Sequence, residues 1–520
     1  MISPDEFLEA LKVPLRGRHL DSEQSEVVAY PPDRPLIVVA GPGTGKTTAI
    51  TARALKMVFV DKYDPASIML TTFTKRAAAE LRSRVLGWGY IIRNELTGLT
   101  NDNQDLEYLK SLDINRFITG TLDSLAEEIL GKYRRPDIPP PVVLDQFVAD
   151  GILLTSGLFD NGLFRNEDLT AFAEDHGYTR SRPTNSVNVR DLIRLSRIYC
   201  DRFRHDAIDI PAFAACGPGQ AVVARVANQY LGGLQIRGPN VMDFAELEHY
   251  FLERLQQGEL SQFTSQLQAI FVDEFQDTNV LQEAIYYNIA RCINGCITVV
   301  GDDDQSLYRF RGGTVELFRN ALPRMKSALG MTDEPDIRYL TTNYRAPLLP
   351  VVFTQDFVEC DADYQPSRVT DKPRVQSDEA AGNGLPVLGI FRDTIEDLAK
   401  SVARLIGDLF NGSGIDLSWN SQTVHIDTGP NAQPGDCAFL AHSVKEYKRE
   451  FMGQLREPRF PWILRQELLA LETPIRSFNP RGQLLSMVPE IAQLCGLMLE
   501  CIDLNSTITD SVTNLPPEAK

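Results

Sequence analysis

The sequence has few cysteines and no long hydrophobic run. Its eight cysteines are scattered along 520 residues, which indicates reduced thiols in an intracellular, cytoplasmic protein and argues against a disulfide scaffold. No apolar run approaches the roughly 18 residues that a membrane-spanning helix needs. The first residues lack the apolar core of a signal peptide. We therefore expect neither a secreted, disulfide-rich protein nor a membrane protein.

The chain also has fewer basic than acidic side chains. The chain has 52 basic and 70 acidic side chains, so its formal net charge is −18. This balance excludes a uniformly basic nucleic-acid binder, although local basic surfaces remain compatible with it. Hydrophobic residues make up 43% of the chain and charged residues 23%, which is a globular composition. At about 100–200 residues per domain, the length predicts three or four domains.

Short apolar runs recur along the first part of the chain, and each is followed by a polar loop or a helical pattern. These runs begin at Pro35, Ser67, Arg116, Gln268 and Cys296. Continuous apolar strands alternating with helices predict an α/β fold with a parallel sheet covered on both faces. Ligands of such sheets bind at the carboxyl ends of the strands.

Two regions depart from this alternation. Residues 126–240 begin with a proline cluster and continue with helical patterns, which predicts an inserted helical domain. A second unit begins near residue 336. It has strand-like runs at 385–391 and 436–442, and an amphipathic helix at 394–410 lies between them.

A glycine-rich loop follows the first predicted strand and opens a helix. It comprises Ala40, Gly41, Pro42, Gly43, Thr44, Gly45, Lys46, Thr47 and Thr48. Such loops let backbone N–H groups surround phosphates, and the helix N-terminus adds partial positive charge. Lys46 is placed to reach the β- and γ-phosphates of a nucleotide, and Thr47 to bind Mg²⁺. A glycine-rich turn without a ligand is the alternative, but strand, Lys-Thr pair and helix together favour a nucleotide site.

Acidic residues follow two later predicted strands. Asp273 and Glu274 come directly after a four-residue apolar run, where Asp273 is placed to coordinate Mg²⁺ and Glu274 to polarise an attacking water. A solvated acidic turn fits two adjacent acids at this point poorly. After the next run, Gln305 is placed to sense a γ-phosphate, whereas Asp302 and Asp303 are expected to cap and solvate a turn.

Aromatic residues alternate with arginines just after Gln305. Tyr308 and Phe310 are the aromatic residues, and Arg309 and Arg311 are interleaved with them. This pattern suits base stacking combined with phosphate contact. An ordinary strand edge is the alternative, but the position beside the predicted nucleotide site favours nucleic-acid contact.

Taken together, these segments resemble the UvrD/Rep-like branch of superfamily 1 DNA helicases. The matching segments, in the family's order, are 20–24 (Q motif), 40–47 (motif I), 70–81 (Ia), 272–277 (II), 300–312 (III) and 343–345 (IV). Their order and combination are far more specific than any single motif. The resemblance implies a RecA-like P-loop NTPase domain with a helical insert, followed by a partial second RecA-like domain.

The resemblance also implies roles for individual residues. ATP would be bound by Gln24, Gly41, Pro42, Gly43, Thr44, Gly45, Lys46, Thr47, Thr48 and Tyr344. Mg²⁺ would be held by Thr47 and Asp273. Catalysis would use Glu274 as the base, Gln305 as the link between γ-phosphate and DNA, and Arg345 as an arginine finger. Single-stranded DNA would be contacted by Phe73, Thr74, Tyr308, Phe310 and Arg311.

The same resemblance divides the chain into domains. These are 1–125 with 241–330 as the ATP-binding domain 1A, 126–240 as the helical insert 1B, 331–484 as a partial domain 2A, and 485–520 as the start of a 2B-like insertion or a tail. On the insert, arginines recur at helical spacing at Arg190, Arg194, Arg197 and Arg204. A solvated helix face is the usual meaning of such a stripe, but on this insert we expect contact with duplex DNA.

The sequence departs from the family's pattern in two places. Leu122 and Asp123 stand where the family usually has phenylalanine and histidine, which puts a DNA contact there in doubt. We find no segment that matches motif V or motif VI. The second RecA-like domain is therefore expected to be incomplete.

The sequence favours an ATP-dependent DNA helicase or translocase of 3′→5′ polarity, or the N-terminal portion of one. Its cofactors would be ATP and Mg²⁺, and its partners single-stranded DNA and junctions of single- and double-stranded DNA. The alternative is a DNA-binding, nucleotide-sensing subunit that does not unwind alone, with a second polypeptide supplying the missing motifs. A small-molecule kinase explains neither the aromatic segment at 308–310 nor residues 343–345.

Overall fold

The structure of the protein, a computed structural model, describes most of the chain. The described residues are 2–181, 185–306, 315–412, 414–419, 422–428, 431–441, 443–447, 457–479, 493–494 and 497–498. The chain divides into two compact units, Met1–Val387 and Leu388–Lys520. Among the described residues, no helix has both the length and the apolar character needed to cross a membrane.

The strands of the first unit are short. In chain order they are Leu36–Ala40 (β1), Ile68–Thr71 (β2), Ile118–Gly120 (β3), Val142–Val143 (β4), Arg180–Ser181 (β5), Ser186–Val187 (β6), Val241–Met242 (β7), Ala269–Val272 (β8), Ile297–Gly301 (β9), Asp336–Leu340 (β10), Thr342–Asn343 (β11) and Gln376–Ser377 (β12). Six of them form one parallel sheet in the order β10-β1-β9-β8-β2-β3. Every residue of β1, β2, β8 and β9 is buried, as expected when helices cover both faces. The predicted α/β fold with a parallel sheet is confirmed.

Helices connect these strands, and several of them share the apolar core of the sheet. In chain order they are Pro4–Leu11 (α1), Ser22–Ala29 (α2), Lys46–Phe59 (α3), Lys75–Leu99 (α4), Asn103–Ser111 (α5), Leu122–Lys132 (α6), Gln146–Ile152 (α7), Glu167–Asp175 (α8), Val189–His205 (α9), Ile210–Ala214 (α10), Pro218–Arg237 (α11), Phe244–Gln256 (α12), Ser261–Thr264 (α13), Val280–Cys292 (α14), Val315–Arg319 (α15), Ala321–Leu329 (α16) and Leu348–Cys360 (α17). Leu55 of α3 and Ile285 of α14 lie in one cluster with Val38 and Ile270 of the sheet. Burial of this apolar surface is the main force that holds sheet and helices together.

The strand β10 lies at one edge of the parallel sheet. It pairs with β1 in parallel, from Leu36 with Asp336 to Ala40 with Leu340. The predicted end of domain 1A at residue 330 leaves this strand outside the domain whose sheet it joins. Without β10 the buried strand β1 would be an edge strand with unpaired backbone groups. The predicted domain limits stay predictions.

The predicted insert is mainly helical and has an apolar core of its own. Leu153, Leu192, Phe203 and Tyr230, from several of its helices, belong to one buried cluster. β4 and β7 pair in parallel where the chain enters and leaves this region. The mainly helical character predicted for this region is therefore confirmed, whereas its limits stay predictions.

The arginine stripe predicted on α9 is exposed in only two of its four positions. Arg190 and Arg194 are exposed, whereas Arg197 is buried and the side chain of Arg204 is 9% exposed. Nε of Arg204 donates to Oε2 of Glu246 at 2.7 Å. The expectation that all four contact DNA is wrong, because the side of α9 that packs into the insert includes two of these positions.

We expect Arg197→Ala to destabilise the insert strongly. Nε of Arg197 lies 3.0 Å from Oδ1 of Asp150, and Nη1 lies 3.3 Å from Oδ2 of Asp243 and 2.9 Å from the Tyr230 hydroxyl. Removal of the guanidinium leaves the buried Asp243 carboxylate without this partner, a change that costs about 3–5 kcal/mol. Denaturant unfolding should show this loss. Arg190→Ala, at an exposed position, should change the free energy of unfolding by less than about 0.5 kcal/mol. Equal stabilities of the two variants would contradict the assignment of Arg197 as a buried ion-pair partner.

The described residues of the second unit form a small helical core and a hairpin. Its elements are the helices Ile395–Phe410 (α18) and Phe460–Leu469 (α19) and the antiparallel strands Ile415–Trp419 (β13) and Gln422–Ile426 (β14). Ala399 and Ala403 of α18 share a buried cluster with Ile463 and Leu464 of α19. The amphipathic helix predicted at 394–410 is confirmed.

Two strands predicted beyond residue 384 are wrong. Residues 385–391 form no regular secondary structure, and 434–436 form a 3₁₀ turn that leads into irregular chain up to 441. Residue 442 lies outside the described residues. Phe391 is 86% exposed, so these apolar residues lack the burial that a central strand needs. The partial second RecA-like domain stays a prediction.

Candidate nucleotide-binding site

The glycine-rich loop joins the carboxyl end of β1 to the start of α3. Gly43 and Gly45 have φ angles of 72° and 81°, a left-handed conformation that glycine adopts without strain. Gly45 directly precedes α3, so the unpaired N–H groups of the first helical turn lie at the loop. Thr44 is buried, and its hydroxyl donates to the Gly41 carbonyl at 2.8 Å. This conformation leaves backbone donors for a phosphate group.

Lys46 and Glu274 meet at the carboxyl edge of the sheet. Nζ of Lys46, the first residue of α3, lies 3.4 Å from Oε2 of Glu274, which follows β8. The parallel strands end at the same edge, and this brings together two residues that are 228 positions apart. Glu274 has a φ of 55°, a sparsely populated conformation that often marks functional sites. The structure thus brings a predicted ATP-binding residue into contact with a predicted catalytic residue.

Asp273 is a buried carboxylate beside this pair. It is 7% exposed, and its Oδ1 accepts the N–H of Glu274 at 3.0 Å. Burial, and next the charge of Glu274, raise the pKa of the Asp273 carboxyl to about 7, against the lowering effect of Lys46. Mg²⁺ prefers oxygen ligands of this kind. Thr47 adds a half-buried hydroxyl next to Lys46, so the two predicted metal ligands fit the ion chemically.

Gln24 and Tyr344, predicted to hold the adenine, are both bound to Asp21. The Tyr344 hydroxyl donates to one carboxylate oxygen of Asp21, and the other oxygen accepts the N–H of Gln24 at 2.6 Å. The side-chain amide of Gln24 donates to the carbonyl of Thr44 in the loop at 3.1 Å. Asp21 has no role in the sequence analysis, although an aspartate three residues before Gln24 is the pattern of a helix cap.

The chain that follows β10 lies over the glycine-rich loop. Nδ2 of Asn343 donates to the Pro42 carbonyl at 2.6 Å. The backbone N–H of Tyr344 donates to the Gly43 carbonyl at 3.0 Å. Arg345 follows directly, and its side chain is exposed. The structure therefore brings motif IV to the phosphate end of the site.

A second carboxylate of α2 holds the same segment. Glu23 accepts two hydrogen bonds from Thr341, one from its N–H and one from its hydroxyl, both at 2.7 Å. The sequence alone assigns no individual role to Glu23, Thr341 or Asn343. No local pattern signals these contacts, because Glu23 and Thr341 are 318 positions apart.

We expect Gly43→Ala to weaken nucleotide binding. A Cβ at residue 43 would lie 2.7 Å from Oδ1 of Asn343 and 2.9 Å from Cβ of Arg345, at a φ of 72°. Strain of about 1–3 kcal/mol predicts an affinity for ATP that is roughly tenfold lower or worse. Titration of a fluorescent ATP analogue measures it. Gly87→Ala in α4, where a Cβ meets nothing within 4 Å, should match the parent, and equal affinities of both variants would contradict the geometry.

Gln305 adjoins a buried acidic turn. Its amide donates to Oδ2 of Asp302 at 2.5 Å. Asp302 caps the N–H of Asp304 at 3.2 Å, as predicted. The expectation that Asp302 and Asp303 are solvated is wrong, since both are 0% exposed. The three carboxylates lie close enough together to hold a cation, and the ammonium of Lys372 occupies that position, within 2.8 Å of each carboxylate.

The residues predicted to contact DNA fall into two groups. Phe73 and Thr74 lie just beyond the carboxyl end of β2, where Phe73 is half-buried. The Thr74 hydroxyl accepts the N–H three residues further on, so it caps α4. Tyr308, Phe310 and Arg311 lie outside the described residues.

Asp123, which stands in place of the family's histidine, interacts with an internal carboxyl. Burial, and next the charge of Asp123, raise the pKa of Glu248 on α12 well above its usual range. Nε2 of His205 lies 3.8 Å from Oε2 of Glu248, and burial lowers the pKa of that imidazole to about 4. The side chain at position 123 is thus engaged within the protein.

Comparison with known proteins gives one family. Residues 20–326 match the model of the UvrD/REP helicase N-terminal domain. This range is more than half of the chain. It includes the glycine-rich loop, both acidic strand ends and the insert.

Curated proteins of similar sequence are named as DNA helicases. DNA helicase II of Haemophilus influenzae is 28% identical over 319 residues, which are 59% of this chain and 37% of that protein. The putative ATP-dependent DNA helicase YjcD of Bacillus subtilis is 26% identical over 350 residues, 65% of this chain and 38% of that protein. The ATP-dependent DNA helicase UvrD1 of Mycobacterium tuberculosis is 26% identical over 438 residues, 80% of this chain and 47% of that protein. The chain thus spans less than half of the length of each of these relatives.

Proposed function

Since the chain belongs to the UvrD/REP helicase family, we propose that it is an ATP-dependent DNA helicase or translocase that hydrolyses ATP to move along single-stranded DNA. The observation that supports this most is the approach of Lys46 to Glu274 at 3.4 Å, beside the buried Asp273. Transfer of a phosphoryl group to water requires a cation for the phosphates, a metal ligand and a base. These three side chains supply one of each.

The loop residues would bind ATP by charge and by backbone hydrogen bonds. Lys46 would contact the β- and γ-phosphates, while Gln24 and Tyr344 would hold the adenine beside Asp21. Thr47 would hold Mg²⁺ together with the carboxylate of Asp273. The ion, when bound, neutralises charge that develops on the phosphates.

Glu274 would act as the base that takes a proton from the attacking water. Nε2 of Gln276 donates to Oε2 of Glu274 at 2.8 Å, which orients the carboxylate. Gln305 would contact the γ-phosphate. Arg345 would stabilise its charge during transfer, and an arginine in this role can be worth about 10³–10⁵ in turnover.

DNA would pass over residues 73 and 74, which follow β2, and over residues 308–311. Phe73, Tyr308 and Phe310 would stack on bases, and Thr74 and Arg311 would contact the backbone. Opening and closing of the nucleotide site would then move single-stranded DNA, or a junction of single and double strands, past these residues. The 3′→5′ direction rests on the family alone.

We expect Phe310→Ala to weaken the binding of single-stranded DNA. Stacking of a base on an aromatic ring is worth about 1–3 kcal/mol, so affinity should fall roughly tenfold or more, with little dependence on base sequence. Fluorescence anisotropy at one fixed salt concentration measures this. Phe357→Ala, which removes a 70% exposed ring on α17, serves as the control. Equal affinities of Phe310→Ala and the parent would contradict base stacking by this segment and favour the alternative, an ordinary strand edge.

A second candidate is a DNA-binding, nucleotide-sensing subunit that does not unwind DNA alone. It is favoured by one observation, that no segment of the 520 residues matches motif V or motif VI. Motif VI normally supplies a further catalytic arginine, and positive charge on the transferring phosphoryl group is a main catalytic factor. The 520-residue chain alone should therefore bind Mg·ATP, hydrolyse it slowly and unwind no duplex.

Strand displacement separates the two candidates. The purified chain is given ATP and duplexes with a 3′ tail, a 5′ tail or blunt ends, with and without a second polypeptide that carries motifs V and VI. Displacement of the 3′-tailed duplex by the chain alone would discard the second candidate. Displacement only with the second polypeptide would support it. Preference for the 5′ tail would overturn the predicted direction.

A further inference from the structure

Three consecutive carboxylates lie in the interior beside the nucleotide site, and one lysine forms ion pairs with all of them. Nζ of Lys372 lies 2.7 Å from Oδ1 of Asp302, 2.5 Å from Oδ1 of Asp303 and 2.8 Å from Oδ2 of Asp304. The side chain of Lys372 is only 5% exposed. Buried charges of this kind are stable only when they are paired and hydrogen-bonded.

The segment that carries Lys372 makes further contacts with the acidic turn. Arg368 donates to both oxygens of Asp304, at 2.8 and 2.9 Å, and the N–H of Val369 donates to Oδ2 of Asp303 at 2.7 Å. Burial alone would lower the pKa of Lys372, but the charges of the three aspartates raise it. The ammonium therefore stays protonated, and residues 364–372 are fixed to the turn.

Asp302 connects this lysine to the groups proposed to act on ATP. Its Oδ1 accepts from Lys372 and its Oδ2 from the amide of Gln305. Its backbone N–H donates to Oε1 of Gln276 at 3.0 Å, and Nε2 of Gln276 donates to Glu274. A continuous chain of hydrogen bonds thus runs from the lysine to the proposed base.

The residue before Asp302 shows how closely this chain is packed. A Cβ on Gly301 would lie 2.6 Å from Oε1 of Gln276 and 3.0 Å from the ring of Phe318. Gln276 is 1% exposed, so it has no room to move aside. The hydrogen bond between Gln276 and Asp302 therefore depends on the absence of a side chain at residue 301.

We propose that Lys372 is a positioning residue for ATP hydrolysis, which acts through Asp302 to hold Gln305 and Glu274 in place. The inference rests on the function proposed above. Without the ammonium, the three carboxylates repel one another and Asp302 leaves its position. Gln305 then loses its alignment on the γ-phosphate. Turnover thus requires residues 364–372 to be seated on the acidic turn.

Lys372→Met, which removes the charge, is the first test. Single-stranded-DNA-stimulated turnover should fall by up to about 100-fold in kcat, the size of effect that a small misalignment produces, while KM for ATP and affinity for ADP stay close to parental values. Arg374→Met is the matched control, because Arg374 carries the same charge two residues further on. Among the ion pairs of the described residues, its partners are Asp356 and Glu359 at the surface. It should hydrolyse ATP like the parent. Lys372→Arg, which keeps the charge, should recover part of the loss.

A double-mutant cycle with Gln305→Ala decides whether Lys372 acts through Gln305. If it does, Lys372→Met should add little to the loss caused by Gln305→Ala, and both variants should lose the parent's preference for a non-hydrolysable ATP analogue over ADP. Independent, additive losses would overturn the proposal. If Lys372→Met does not bind ADP, the cycle is repeated with Lys372→Arg, which keeps the charge but moves the donor atoms. If the parent binds no nucleotide, the proposed function is refuted. If the parent hydrolyses ATP and Lys372→Met has the same kcat, only the proposal for Lys372 is refuted.

Discussion

Glu274→Gln is expected to abolish ATP hydrolysis and to leave the affinity for Mg·ATP intact. Glutamine has the same size as glutamate, but it cannot accept the proton of the attacking water. A positioned general base contributes about 10²–10⁴ to a rate. Lys46 and Asp273, which bind phosphate and metal in our proposal, are unchanged in this variant. Turnover with saturating single-stranded DNA, measured beside equilibrium binding of ATP, tests both halves of the prediction.

The control for this variant is Glu9→Gln. Glu9 lies on α1 and forms a surface ion pair with Lys12, on a helix that carries none of the predicted site residues. Loss of this carboxylate should leave turnover unchanged, since exposed pairs of this kind contribute little. Full DNA-stimulated turnover of Glu274→Gln would show that the base is another residue.

Lys46→Ala is expected to lose ATP binding altogether. The ammonium is the charged group of the loop that would contact the β- and γ-phosphates, and it is also the partner of Glu274 at 3.4 Å. Removal of it leaves two neighbouring carboxylates, those of Asp273 and Glu274, to repel the triphosphate. Calorimetric titration with Mg·ATP should show no saturable binding at concentrations that saturate the parent.

The matched control is Lys56→Ala on the same helix. Nζ of Lys56 pairs with Asp61 at 2.9 Å, at the opposite end of α3 from the loop. Its removal should leave ATP affinity at the parental value. Parental affinity in Lys46→Ala would mean that the loop does not bind the phosphates.

The parts of this site that sequence predicts are those set by near neighbours in the chain. The left-handed angles of Gly43 and Gly45 follow from glycines between a buried strand and a helix. The position of Asp273 follows from the end of an apolar run. The parallel topology then brings Glu274 to Lys46, because strands of such a sheet end at a common edge.

The contacts that sequence does not predict join distant segments. Asn343 reaches the Pro42 carbonyl across 301 positions, and Lys372 reaches Asp302 across 70. A lone asparagine or lysine in a polar stretch has no local signature, so its partner depends on the path of the whole chain. Asp21 is an intermediate case, since its cap to Gln24 is local and its contact with Tyr344 is not.

The wrong predictions have a common physical cause. Helical spacing places Arg190 and Arg197 on one side of α9, but packing decides how much of that side is covered, and Arg197 is buried. Residues 385–391 are apolar enough for a strand, yet no neighbouring strand pairs with them among the described residues. Periodicity describes an element, whereas burial and pairing depend on what lies next to it.

The most direct test of the proposed function is the ATPase rate of the purified 520-residue chain with and without single-stranded DNA. In our proposal Gln305 links the γ-phosphate to the DNA, so ATP should be hydrolysed faster when DNA is bound. We therefore expect saturating single-stranded DNA to raise a low basal rate, and Glu274→Gln to remove the increase. A rate that is the same with and without DNA, or that survives in Glu274→Gln, would contradict the assignment of this chain as a DNA-driven ATP hydrolase.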